Sequence, residues 1–257
     1  MVAFLVKRFI SKRKMLTIGA ILFWLLVWQV GALVIDEKLF LPSPILVISR
    51  LGSLVLTSEF WYSIGFSLIR VASGFMLSLI LALVLAILAY NYKAIEILIE
   101  PLVKTVRAIP VASIVILVLV WVSSRNLSIV ISFMIIFPVI YTNVLEGLKS
   151  TSNDCLELAD IYHINGFRRI RYIYLPYSMP FFFSAMKSAL GLGWKSAIAA
   201  EVIGLPNGSI GSQLYDAKVF FSTPDLFAWT IVIVLLASIF EHLILFLLKR
   251  IFERCSR

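Results

Sequence analysis

The side chains of this sequence that could do chemistry are mostly charged groups inside apolar stretches. Lys187, Lys195 and Glu201 fall in one such stretch, where each charge costs about 2.5–3.5 kcal/mol at the centre of a membrane helix. Lys187 can extend towards the inner surface. At roughly 100° per residue, Lys195 points about 120° away from Glu201, so the two make a poor intrahelical pair. Lys195 and Glu201, with Trp194 and Asn143, are therefore candidates for an interhelical tie or for the border of a water-filled pathway.

No arrangement of residues typical of an enzyme or a metal centre occurs. The two cysteines are Cys155 and Cys255 and the two histidines are His163 and His242, and none of them has metal-ligand spacing. The sequence also contains no Gly-x-x-x-x-Gly-Lys-Ser/Thr phosphate loop, so it cannot bind ATP in that manner. We expect no catalytic residue, no metal site and no cofactor in this chain.

Residues 149–176 form the longest polar segment between strongly apolar ones. Apolar residues at helical spacing predict one short helix, and a second follows a break at Asn165-Gly166. Asp154, with Glu157 three residues later, predicts the N-terminal cap of the first helix. We therefore expect a helix–turn–helix outside the bilayer that is presented to something in the cytoplasm.

The composition places these elements in a membrane. Of 257 residues, 61% are hydrophobic and only 14% are charged, and the mean hydropathy is +1.01, well above the usage of soluble domains. The apolar runs are continuous, which favours an all-α membrane protein over a β-barrel. The six expected spans are 15–35, about 64–90, about 102–122 with a kink at Pro110, about 127–145, from after Pro180 to about 203, and about 226–248.

The distribution of Lys and Arg orients these spans with both termini inside, because basic residues accumulate in cytoplasmic segments. Most basic residues fall in the segments that this topology places inside. The outer segments hold four: Lys38, Arg50, Arg125 and Lys218. This asymmetry explains the net charge of +9 without a nucleic-acid partner.

The polar segment 149–176 resembles the cytoplasmic coupling loop, or EAA motif, of ABC importer permeases. The matching positions hold Glu157, Ala159, Leu175 and Pro176. The family's glycine position holds His163, and Gly166 follows three residues later, which predicts a displaced turn. Five further motifs are similar to the nitrate/sulfonate/taurine branch of the family. They are Leu41-Pro42-Ser43-Pro44, Ser67-Leu68-Ile69-Arg70, Arg107-Ala108-Ile109-Pro110, Phe137-Pro138 with Asn143 and Gly147, and Ala200-Glu201-Val202-Ile203-Gly204.

The resemblance implies a type I ABC permease fold in which residues 1–257 form a single transmembrane domain, with a basic cytoplasmic N-terminus at 1–14 and the coupling loop at 149–176. The residues it assigns to coupling are Glu157, Ala159, His163, Asn165, Gly166, Leu175 and Pro176. Separate ATPase subunits would bind ATP and Mg²⁺. Two identical permease copies would pair in a bacterial or archaeal plasma membrane.

An extracytoplasmic binding protein would deliver a small solute, such as a sulfonate, nitrate or a thiamine-precursor-like pyrimidine. A second hypothesis is a membrane assembly protein that docks a cytoplasmic partner and transports nothing. This second hypothesis predicts no substrate-dependent stimulation of ATP hydrolysis.

Overall fold

The computed structural model describes residues 2–37, 39–164 and 166–255, and in these ranges it describes the side chains of residues 15–250 and of Phe252. All regular structure in the described residues is helical, which confirms the predicted all-α class. The helices are α1 (Val2–Ile35), α2 (Pro44–Val55), α3 (Ser58–Asn91), α4 (Lys93–Ala108), α5 (Val111–Val118), α6 (Ser124–Lys149), α7 (Asn153–Ile161), α8 (Phe167–Arg169), α9 (Leu175–Gly204), α10 (Ile210–Val219) and α11 (Thr223–Cys255), with a π-helical turn (Ile170–Tyr174) before α9.

The described residues fall into two compact units, unit 1 (Met1–Phe60 with Leu214–Ile231) and unit 2 (Trp61–Gln213 with Val232–Arg257). In unit 1, α2 begins at the predicted proline-rich entry, because Pro44 occupies its first turn and the Ser43 hydroxyl accepts from the N–H of Leu46 at 3.4 Å. The Trp28 indole N–H donates to the carbonyl of Pro42 at 3.0 Å. This bond joins α1 to the entry of α2.

In unit 2, α6 packs closely against both α3 and α9. A Cβ at Gly74 of α3 would overlap the backbone of Ile129 on α6, and a Cβ at Gly193 of α9 would overlap the side chain of Ile136 on α6. Small residues allow such close approach between membrane helices. An apolar core joins α5, α6 and α9. Its buried members are Ile114, Val115, Val118, Leu127, Ile131 and Ala200.

Among the residues that the structure describes, four helices are long and apolar enough to cross a membrane. They are Met15–Ile35, Ser58–Asn91, Ser124–Lys149 and Thr223–Arg250, and they coincide with the first, second, fourth and sixth predicted spans. The fifth predicted span corresponds to α9. Its 30 residues are about 45 Å long, but its composition is too polar for it to count among the apolar spans. Its packing against α6 explains how it carries this polarity. The total of six spans stays a prediction.

The third predicted span is wrong as a single kinked helix. The chain instead forms α4 and α5, which meet at 106°. Pro110 has no N–H and disfavours the helical conformation in the residue before it, and Ile109 is accordingly extended at φ −80° and ψ 132°. Pro110 therefore ends one helix and precedes another. The predicted spans leave residues 91–101 as a connection between them, but α4 already begins at Lys93.

Candidate functional site

The polar segment 149–176 folds as a helical hairpin, and its first arm is α7. The predicted cap is wrong by two residues, because Ser152 precedes the helix as the N-cap residue and Asp154 lies inside the first turn. A carboxylate in the first turn still stabilises the helix, because its negative charge interacts favourably with the helix dipole. Glu157, one turn further on, is exposed to solvent. The acidic side of α7 is thus available to a partner.

The chain reverses at His163, which adopts the left-handed conformation with φ +54°. The N–H of His163 donates to the carbonyl of Asp160 at 3.1 Å, and the N–H of Ile164 donates to that of Ala159 at 2.8 Å. This bond pair is a Schellman motif, which glycine usually closes. His163 therefore takes the conformation expected of the family's glycine. The predicted displacement of the turn is only half correct, since Gly166 adds a second left-handed position at φ +60° and Asn165 lies outside the described residues.

The second arm of the hairpin is the start of a longer helix. Residues 167–174 continue directly into α9 without a break, so the predicted separate second helix is wrong. Pro176 cannot donate a backbone hydrogen bond, and the wider π-helical turn that precedes α9 accommodates that loss. Leu175 is partly buried and Pro176 is exposed. The second arm of the hairpin and α9 therefore form one continuous helical path.

Two side-chain contacts hold the hairpin closed. Arg169 donates to Asp160 at 2.6 Å, and the Cys155 thiol lies 3.1 Å from the Tyr177 hydroxyl. The Asp160 contact raises the pKa of Arg169 above its ordinary value, so this guanidinium stays charged. Ala159, a predicted coupling residue, is 2% exposed and belongs to the inside of the hairpin.

The outside of the hairpin is unusually apolar for a polar segment. Six large apolar side chains of the segment are each more than half exposed. One is Tyr172, and the other five lie closer to the turn in sequence: Leu158, Ile161, Tyr162, Phe167 and Ile170. Leu158, Ile161 and Tyr162 share one face of α7, since they follow the i, i+3, i+4 spacing. We call these five side chains the apolar face of the hairpin. Exposed apolar patches of this kind mark interaction sites.

An ion-pair cluster that the sequence analysis missed joins the base of the hairpin to α4. Lys149, the last residue of α6, lies 2.8 Å from Glu96, which also pairs with Lys93 at 2.9 Å. Glu96 and Lys149 are far apart in sequence, and only the folded chain brings them together. The base of the hairpin is thereby linked to the start of α4 as well as to α9.

The four candidates from the apolar stretches do not come together. Glu201 is fully buried, and its carboxylate accepts from the Ser67 hydroxyl at 2.6 Å and from the N–H of Gly211 at 3.3 Å. Ser67 in turn accepts from the N–H of Ile210 at 3.0 Å. Glu201 is therefore an interhelical tie that holds the start of α10.

The other three candidates have separate surroundings. Trp194 is 1% exposed and packs against Phe240 at a ring distance of 5.8 Å, so it belongs to the core. Asn143 donates to the carbonyl of Val139 on its own helix at 2.8 Å. Lys195 is exposed, and within the described part of the chain it has no hydrogen-bond or ion-pair partner. Of the four, Lys195 keeps a free charged group on the surface of unit 2.

Comparisons with known proteins identify similar sequences. Residues 74–257 match the family of the binding-protein-dependent transport system inner membrane component. An aliphatic sulfonates transport permease protein of Bacillus subtilis is 26% identical over 230 residues, which cover 88% of this chain and 83% of that protein. The taurine transport system permease protein of Escherichia coli is 23% identical over 239 residues, covering 90% and 86%. The riboflavin transport system permease protein of Chloroflexus aurantiacus is 26% identical over 229 residues, covering 86% and 85%.

Proposed function

Because this chain belongs to the family of inner membrane components of binding-protein-dependent transport systems, we propose that it is the permease subunit that forms the solute pathway of an ATP-driven ABC importer. The observation that carries the proposal is the apolar face of the hairpin, which lies on a segment flanked by basic residues. Such a face needs a partner. A separate ATPase subunit that binds ATP and Mg²⁺ is the partner that this chain, without a phosphate loop, requires for active transport.

The hairpin docks in the ATPase subunit with Glu157 and the apolar face at the interface. The apolar side chains supply the buried contact area, and exposed Glu157 supplies a charge for a basic side chain of the partner. Interfaces of this type combine an apolar centre with charged groups at the rim. His163 and Gly166 fix the shape of the turn, because both hold left-handed backbone conformations.

Movement of the hairpin reaches the pathway through α9. The continuous helical path from Phe167 to Gly204 carries displacement at the hairpin towards Glu201, which holds the start of α10 through the N–H of Gly211. This gives two distinct sites and a physical element that joins them, as allosteric coupling requires. Lys195, exposed on α9, faces the solute pathway or a second copy of this chain. Two copies pair, with both termini of each in the cytoplasm.

The docking test substitutes Leu158→Ser, which removes exposed apolar area from the hairpin while leaving the core intact. Leu56→Ser is the matched control, because Leu56 is 87% exposed at the end of α2 and lies outside the hairpin. We expect Leu158→Ser to weaken co-purification of the ATPase subunit and Leu56→Ser to leave it unchanged. Equal co-purification of both variants would contradict docking through the apolar face.

The coupling test substitutes Glu157→Lys, which reverses the charge at an exposed position. We expect the folded variant to lose substrate-stimulated ATP hydrolysis in a reconstituted complex with the ATPase subunit and the binding protein. Retained stimulation would overturn the coupling role of Glu157. If the wild-type complex assembles but shows no stimulation, the chain is an assembly protein without transport activity.

A further inference from the structure

A cavity of about 570 Å³ lies in unit 2 between the start of α3, the start of α6 and the loop after α9. Its wall contains the aromatic residues Tyr62 and Phe66, the cation Arg125, and the amide of Asn207. This volume falls within the roughly 300–1,000 Å³ of small-molecule sites. Neither the hairpin nor the candidates of the apolar stretches line it.

The aromatic side of the cavity is fixed by packing. Tyr62 and Phe66 are one turn apart on α3, and their ring centroids lie 6.2 Å from each other. Gly208, at φ +75°, runs so close to the Tyr62 ring that a Cβ at this position would overlap it. Glycine is the residue that combines this conformation with such a close approach. The cavity therefore has a preformed apolar wall.

The charged side of the cavity is formed by Arg125, which lines it. Within the described part of the chain, the Arg125 side chain has no acidic partner. The guanidinium of Arg70 sits 3.4 Å from the centroid of the Phe66 ring, and its Nε donates to the backbone carbonyl of Arg125 at 2.6 Å. Arg70 thus holds the backbone of Arg125 against the aromatic wall.

The carboxylate of Glu201 does not line this cavity. It is fully buried and accepts hydrogen bonds from Ser67 and from the N–H of Gly211. None of the residues that line the cavity is acidic. The positive charge at the cavity therefore lacks a counter-charge from its own wall.

We propose that this cavity binds a small organic oxyanion, with a sulfonate-type group at Arg125 and a short apolar part against Tyr62 and Phe66. A planar guanidinium donates two parallel hydrogen bonds to such a group, and the amide of Asn207 adds a further donor. Two further statements rest on the proposed function: the cavity faces the outside, and the bound anion is the solute that enters the pathway. The binding of the anion itself does not rest on the proposed function.

The experiment measures binding of butane-1-sulfonate to the purified full-length protein in lipid nanodiscs, without ATPase subunit or binding protein, by calorimetric titration. Butan-1-ol, which has a similar apolar part without the charge, is the neutral control ligand. We expect sulfonate binding that weakens with added salt. Arg125→Gln should raise the Kd at least about tenfold, and Arg125→Lys should raise it less because the charge remains.

Lys218→Gln is the matched control variant, since it removes a cation from α10 that does not line the cavity, and its Kd should equal that of the wild type. Asn207→Asp is the second test, because a negative charge in the cavity wall should also raise the Kd at least about tenfold. No difference between sulfonate and alcohol, or an unchanged Kd in Arg125→Gln, would overturn the proposal. Anion binding by a protein that supports no uptake would contradict the proposed function and leave this site intact.

Discussion

Gly74→Ala tests the close crossing of α3 and α6 in unit 2. A Cβ at Gly74 would overlap the carbonyl oxygen of Ile129 and the hydroxyl of Ser132 on α6. The Ser132 hydroxyl can rotate only by giving up its bonds to the carbonyls of Ser128 and Ile129, at 2.7 and 3.0 Å. The carbonyl of Ile129 belongs to the backbone, so it moves only if α6 moves.

Gly65→Ala provides the reference, because Gly65 lies on the same helix and a Cβ there meets no atom within 4 Å. Both substitutions gain the same helix propensity, about 0.5–1 kcal/mol. Gly74→Ala alone carries the cost of overpacking, typically about 1–3 kcal/mol. The difference in the free energy of unfolding between the two variants therefore isolates the packing cost and should be about 1–3 kcal/mol.

The assay is equilibrium unfolding of both variants in mixed micelles with increasing sodium dodecyl sulfate, followed by tryptophan fluorescence. We expect Gly65→Ala to be as stable as the wild type or more stable, and Gly74→Ala to unfold at lower detergent fraction. Equal unfolding free energies for the two variants would refute the close crossing of α3 and α6.

Substitutions at two further positions test local features of the hairpin and of the buried carboxylate. His163→Gly should slow amide hydrogen exchange at Ile164, whose N–H closes the turn, because a non-glycine residue in the left-handed conformation costs about 1–2 kcal/mol. His163→Ala is the control. Equal exchange rates in the two variants would argue against backbone strain at this position. Glu201→Gln should keep most of the unfolding free energy, whereas Glu201→Leu should lose about 1–3 kcal/mol for each of the Ser67 and Gly211 donors left without an acceptor. Equal stability of the Gln and Leu variants would contradict the interhelical tie.

Hydropathy identifies the four long apolar helices but not α9, whose charged residues make it less apolar. The four helices that qualify as spans have long apolar runs, because lipid contact requires an apolar surface. α9 instead packs against α6, so much of its surface is free from that requirement and can carry Glu201. For the same reason the role of Glu201 depends on Ser67 and Gly211, whose proximity no local pattern indicates.

Local backbone rules explain the remaining differences. Proline at position 110 predicts a disturbance of the helix, but whether the chain kinks or turns through 106° depends on the tertiary contacts of α5. At position 163, the resemblance to the family identifies a place for glycine, and the histidine suggests that the turn moves. The Schellman hydrogen bonds instead stabilise the left-handed conformation of His163. The folded hairpin therefore overrides the residue's intrinsic preference.

The most direct test of the proposed function is solute uptake into proteoliposomes that contain this chain with its ATPase subunit. The external binding protein and labelled solute are added outside the vesicles, and ATP is enclosed inside. Uptake should require all three proteins and ATP, and Glu157→Lys should abolish it without preventing reconstitution of the permease. A complex that assembles but accumulates no solute and shows no solute-dependent ATP hydrolysis would contradict the account.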